Sequence, residues 1–122
     1  VRVVCTKCKQ PYTPSDAEIA EAGITAEQAA GATFMRGAGC SACNMGGYRG
    51  RIGIYELMMM TSKVRELVFQ NASAVEIRNV AIAKDGMSSL YKDGIDKVMR
   101  GVTTIEEVFR VAKQTEADMA AA

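Results

Sequence analysis

The chain has 122 residues, the size of one domain or two very small ones, and 48% of them are apolar, enough for a modest core. Fifteen Lys and Arg against fourteen Asp and Glu give a net charge of +1, which weighs against strong binding to a phosphate backbone. There is no His, so imidazole acid–base chemistry and imidazole metal ligands are excluded. No apolar run approaches the roughly eighteen residues needed to span a membrane. The chain opens Val-Arg-Val-Val, without an initiator Met or a signal peptide, and is expected to be a piece of something longer.

The first motif is Cys5-x-x-Cys8, and its counterpart is Cys40-x-x-Cys43. Each pair makes a knuckle that presents two thiolates on one side of a turn, and two facing knuckles complete a tetrahedron around zinc. The spacer, residues 9–39, exceeds the usual ribbon spacing. Closure entropy grows only logarithmically with loop length, so the excess costs little. Gly39, Gly46 and Gly47 give the second knuckle backbone freedom. Disulfides, redox dithiols and an iron–sulfur centre are the alternatives. Four thiolates leave no open position for water or substrate, so the metal is expected to be a structural zinc on Cys5, Cys8, Cys40 and Cys43. Such a centre carries a formal charge of −2, which Lys7, Lys9, Arg36, Arg49 and Arg51 lie near enough in sequence to offset, with an ordinary solvated face as the alternative for each.

Within the spacer, Thr13-Pro14 marks a helix start, with a helix over about 14–22 that stops at Gly23. Thr25 caps a second helix ending at Gly31. Both are rich in Ala and Glu and only weakly amphipathic, so the spacer is expected to pack poorly and to owe its order to the metal. Thr33 to Arg36 suggests a short strand. After the second knuckle, Ile52, Ile54 and Glu56 alternate with Gly53, Tyr55 and Leu57, a strand's period. The glycines around them fit no phosphate cradle, because Gly-x-x-x-x-Gly-Lys-Ser/Thr is absent from the chain. Met58-Met59-Met60 reads as core at a strand-to-helix junction, with a soft partner surface as the alternative.

From Thr61 the period becomes helical. Helices are expected over about 62–71, 74–84, 88–100 and 104–114. Ser73-x-x-Glu76 and Thr103-x-x-Glu106 have the form of capping boxes, and Asp85-Gly86 and Gly101 are stops. The expected fold class is α+β. A four-cysteine zinc knuckle subdomain with short antiparallel strands occupies 1–57. A four-helix bundle follows over 58–115, then a frayed tail at 116–122.

Taken together, the motifs resemble the C-terminal part of the type II secretion and type IV pilus assembly ATPases. The resemblance rests on Cys5/Cys8 and Gly39-Cys40/Cys43. It continues through Gly47-Tyr48-Arg49-Gly50-Arg51-Ile52-Gly53-Ile54-Tyr55-Glu56 and Gly101-Val102-Thr103-Thr104-Ile105-Glu106-Glu107-Val108. It runs in order over roughly residues 1–113, and Glu76-Ile77-Arg78-Asn79-Val80 also resembles a helix of the related retraction motors. The resemblance implies a cytoplasmic parent, peripheral at the inner membrane, that forms a homo-hexamer and works on an inner-membrane platform protein. It implies that ATP and Mg bind upstream, so that this piece contributes no catalytic residue and binds no nucleotide. The zinc insert would project as a lever or docking surface, and the helices after Thr61 would pack on the ATPase core of the same chain. The rival reading is a zinc-ribbon adaptor for nucleic acid or protein, which would want stacking aromatics near the knuckles, where Tyr48 is the one that follows the second pair. A thiol–disulfide enzyme is a third.

Overall fold

The computed structural model describes residues 1–115 and Asp118. The tail assigned from Glu116 onward otherwise lies outside the described residues. The elements in order are β1 (Arg2–Val4), β2 (Lys9–Pro11), α1 (Asp16–Glu21), α2 (Ala26–Gly31), β3 (Met35–Gly37), a 3-10 turn (Ser41–Cys43) and β4 (Tyr48–Arg51). Four helices follow: α3 (Ser62–Phe69), α4 (Ala74–Asp85), α5 (Leu90–Met99) and α6 (Ile105–Val111). The class is α+β, with two two-stranded antiparallel sheets, β1–β4 and β2–β3.

Both sheets serve the cysteines. In β2–β3, Lys9 pairs with Gly37 and Pro11 with Met35. In β1–β4, Arg2 pairs with Arg51 and Val4 with Tyr48. The first knuckle connects β1 to β2 and the second connects β3 to β4, so the two ladders close on each other. The strand expected over 52–57 lies earlier, at Tyr48–Arg51. Its ladder ends where Val1 and Ile52 exchange backbone bonds, both 2.9 Å. Residues 52–60 run on outside any ladder or helix despite their alternation. With no strand to cover it, the Met58–Met60 run expected in the core is exposed instead, with Met59 at 61%.

The helix signals held at most termini. Ser73 and Thr61 cap α4 and α3 by accepting from the amides of Glu76 and Val64. Gly86 closes α4 in the left-handed region, at φ +68. Three starts moved by a residue or more, and α5 begins at Leu90, capped by Ser89, rather than at about 88. The cap of α1 is Ser15, in a complete box with Glu18, with Pro14 before it. The cap of α6 is Thr104, which accepts from the Glu107 amide, while Thr103 turns its hydroxyl to the Arg2 carbonyl at 2.8 Å.

The four C-terminal helices pair two and two. Val64 of α3 joins Ala81 and Met87 in a small buried cluster edged by Ile77 and Ile82, and Leu67 of α3 is also buried. Tyr91, Ile95 and Val98 of α5 join Ile105, Val108 and Ala112 in a second cluster. That larger core also takes in Ala22, Ile24 and Phe34 from the spacer. The expectation of a poorly packed spacer therefore fails in a specific way. No residue within α1 or α2 is buried, but the residues flanking them are. At roughly 1.5–3 kcal/mol for a buried large apolar side chain, Ile24 and Phe34 anchor the spacer without the metal. Tyr91 Oη donates to the Ala22 carbonyl at 3.1 Å, and the Thr33 amide to the Met99 carbonyl at 2.8 Å. Gly94 keeps α5 close to α6, since a Cβ there would stand 2.8 Å from Val108. No helix among the described residues is long and apolar enough to cross a membrane.

Candidate metal centre

The cysteine turns repeat one local design. The amide of Cys8 donates to the Cys5 carbonyl and that of Cys43 to the Cys40 carbonyl, both at 3.2 Å. Each bond closes a turn that brings the first and fourth residues of the motif to the same side. Across the knuckles, the Cys5 amide donates to the Gly47 carbonyl at 2.9 Å and the Ala38 amide to the Cys8 carbonyl at 3.0 Å. Gly37 and Gly47 permit this approach, because a Cβ on Gly37 would collide with the Gly47 carbonyl. After the second knuckle, Asn44 and Met45 both adopt left-handed backbone, at φ 51 and 63, to turn the chain back into β4.

The four sulfurs sit 3.9 Å apart for Cys5–Cys40, 3.8 Å for Cys8–Cys43 and 3.7 Å for Cys40–Cys43. All four lie within 4.8 Å of one another. A tetrahedral zinc with Zn–S bonds of about 2.3 Å needs sulfurs about 3.8 Å apart along each edge. A disulfide needs about 2.05 Å, and the four cysteines are free. The donor set therefore fits one tetrahedral metal ion held by Cys5, Cys8, Cys40 and Cys43, with no protein position left open. Cys5 is fully buried and the other three are half-buried.

Backbone amides point at two of the sulfurs. Gly39 donates to Cys8 Sγ, and Cys40 and Gly47 donate to Cys43 Sγ, each at 3.3 Å. Such bonds favour thiolate over thiol. At Cys43 burial works the other way, but the two amides and the neighbouring thiols outweigh it and bring the thiol down to about 6. At Cys8 burial dominates the single Gly39 amide and pushes the thiol up to about 12. A divalent cation would reverse that and deprotonate all four, because coordination favours the anion directly.

Lys7, Lys9, Arg36, Arg49 and Arg51 are exposed, and among the described residues none forms an ion pair. Arg36 lies 5.6 Å from the centroid of the Tyr12 ring. Tyr48, the aromatic that a nucleic-acid adaptor would use, is already engaged. Its hydroxyl meets Thr104 Oγ1 at 2.7 Å and its ring lies under the Arg2 guanidinium at 4.3 Å.

A second set of residues gave no signal in the sequence of its burial or pairing. Glu107 is fully buried and accepts from the Arg2 amide at 3.1 Å, from Arg2 Nε at 2.7 Å and from Arg110 Nη2 at 2.6 Å. Burial raises the pKa of this carboxyl, but Arg110 and Arg2 together hold it at about 2. The Val4 amide donates to the Val102 carbonyl at 2.9 Å. Arg2, Val4 and Thr103 thus fasten β1 to the start of α6 one residue away from Cys5, and the metal centre is tied to the C-terminal helices through β1. Nothing in the periodicity of 104–114 distinguishes Glu107 from its solvated neighbour Glu106.

Residues 1–110 match the family model described as type II/IV secretion system protein. Type II secretion system protein E of Pseudomonas aeruginosa is 42% identical over 114 residues, covering 93% of this chain and 22% of that protein. The protein of the same description from Dickeya dadantii is 40% identical over the same shares. Type IV pilus assembly ATPase PilB of Myxococcus xanthus is 42% identical over 108 residues, 88% of this chain and 19% of that protein. The chain spans about a fifth of the length of these relatives.

Proposed function

Because the chain belongs to the type II/IV secretion system protein family, we propose that it is the zinc-binding C-terminal part of a hexameric motor ATPase that powers type IV pilus assembly or type II secretion. The observation that carries this reading is the four-sulfur cluster inside the matched residues, with three edges of 3.7 to 3.9 Å and all four sulfurs within 4.8 Å of one another. Similarity to relatives of both descriptions, at 42% identity each, supports the motor family without choosing between pilus and secretion.

In this reading the segment does no nucleotide chemistry. The sequence has no Gly-x-x-x-x-Gly-Lys-Ser/Thr run to wrap a triphosphate, and ATP and Mg belong to an upstream core. The parent works in the cytoplasm, peripheral at the inner membrane, against a platform protein there.

Zinc, held by Cys5, Cys8, Cys40 and Cys43, supplies a closed crosslink whose binding energy becomes folding energy. The chain's own residues do the rest. The Gly39, Cys40 and Gly47 amides stabilise thiolates. The Gly37–Gly47 approach sets the spacing of the knuckles. Arg2, Thr103 and Glu107 carry that geometry into α6. The module therefore passes the position of the knuckles to the helices as a stiff unit, and no proton or group is transferred.

The test is Cys40→Ser in the full-length parent. Basal ATP hydrolysis should stay within a few-fold of wild type, while pilus assembly or secretion in cells is lost. Normal assembly with the variant would overturn the interaction role.

A further inference from the structure

We propose that the groove between α1 and α2 is the docking site for a basic amphipathic helix of a partner protein. The groove is open, with a volume of about 750 Å³. Its floor is Ile24 and Phe34, which are already fixed in the main core. Its walls are Ile19 and Ala20 of α1 and Ala29 and Ala30 of α2. Both helices are ordered by complete capping boxes, Ser15 with Glu18 and Thr25 with Gln28, yet neither buries a residue of its own. A helix ordinarily earns its place by covering an apolar stripe. Here Ile19 and Ala29 pack only at the edge of the main core, and Ala20, Ala26 and Ala30 stay exposed along the groove.

Charge selects the occupant. The stretch from Thr13 to Phe34 carries Asp16, Glu18, Glu21 and Glu27 and no Lys or Arg, on a chain whose net charge is +1. Asp16 lines the groove itself, and Glu27 adjoins the lining residue Ala26. Glu18 and Glu21 lie toward the other side of α1, where they add to the field without touching the groove. Arg36, which lies over the ring of the lining residue Tyr12, does not itself line the groove. One lining carboxylate, Asp16, and the exposed Glu18, Glu21 and Glu27 of the two helices give an apolar floor acidic surroundings, which complement a helix with bulky apolar residues on one face and Lys or Arg on the other. A strand fits less well, because Pro11 ends β2 at the groove's edge and lacks the amide that β-addition needs. Alanine walls let a helix of roughly 10 Å diameter settle between them. The site uses no cysteine, so it stands or falls separately from the metal.

The probe is a dye-labelled peptide of about 18 residues made of Leu and Lys, with Leu at helical i, i+3, i+4 spacing, alongside its Leu/Glu counterpart. Titrated against the purified chain, the Leu/Lys peptide should bind at least about tenfold more tightly than the Leu/Glu peptide and weaken with salt. Amide shift changes should centre on Ala20, Ala26, Ala30 and Phe34. Ala30→Trp, which fills the groove from an exposed position, should weaken binding by about tenfold or more, and Asp16→Lys by several-fold. Unaltered binding to Ala30→Trp, equal binding of the two peptides, no binding of either, or shifts centred on Met58–Met60 would each overturn the proposal.

Discussion

Replacing Glu107 with Gln removes the one negative charge that Arg2 and Arg110 share. The carboxylate is fully buried, while the two arginines keep 45% and 59% of their side chains in solvent. Its pKa falls from an ordinary 4.5 to about 2 in the folded chain, so about 2.5 units of preference for the ionised form belong to the fold. At about 1.4 kcal/mol per unit that is roughly 3.5 kcal/mol, and screening of the outer faces of both arginines reduces it to about 2–3 kcal/mol. Gln keeps an acceptor but turns an N–H toward a guanidinium, so the loss should approach the whole of that figure. A depressed folded pKa gives stability that is fully present above about 4.5 and is lost as pH falls toward about 2. Urea unfolding of wild type and Glu107→Gln should therefore differ by about 2–3 kcal/mol at pH 7, with the gap shrinking below pH 4.5. Metal loss in acid is common to both proteins and cancels in the difference. A gap under about 0.5 kcal/mol at pH 7, or one that persists unchanged at pH 2, would refute this account of the network.

Phe34→Ala should cost about 3–4 kcal/mol in urea unfolding, because the ring is 8% exposed, packs edge-on to Tyr12 at 6.4 Å and joins the spacer to α5 and α6. Gly37→Ala should lower metal affinity measurably in a chelator competition, since the new Cβ collides with the Gly47 carbonyl and forces the knuckles apart, whereas Gly31→Ala, which meets open space, should leave affinity unchanged. Removing metal with a strong chelator should abolish hydrogen-exchange protection in β1 and β4 and reduce it in α6, while α3 and α4, which have their own small core, keep theirs.

Much of this fold is visible in local chemistry. Thr25, Ser73, Gly86 and Gly101 mark helix ends because a cap or a left-handed residue is a requirement of the helix itself. The two Cys-x-x-Cys motifs predict their convergence because each closes its own turn. What was not legible depends on partners far away in sequence. Alternation over 52–57 signals a strand, but a strand forms only where a ladder exists, and β1 pairs with Tyr48–Arg51. Ala22, Ile24 and Phe34 lie in loops next to weak helices, and only the approach of α5 and α6 makes them core. Thr104 rather than Thr103 caps α6 because Thr103 is claimed by the Arg2 carbonyl. Glu107 has the spacing of an ordinary solvated glutamate, and its burial follows from where β1 lands.

The central claim is that four thiolates hold one zinc and fix the knuckles. X-ray absorption at the zinc edge, on protein purified without added metal and paired with elemental analysis, tests it most directly. One zinc per chain with a first shell of four sulfurs at about 2.3 Å is the expected result. A shell containing nitrogen or oxygen in place of a sulfur would contradict it, as would metal-free protein with Cys5, Cys8, Cys40 and Cys43 paired in disulfides.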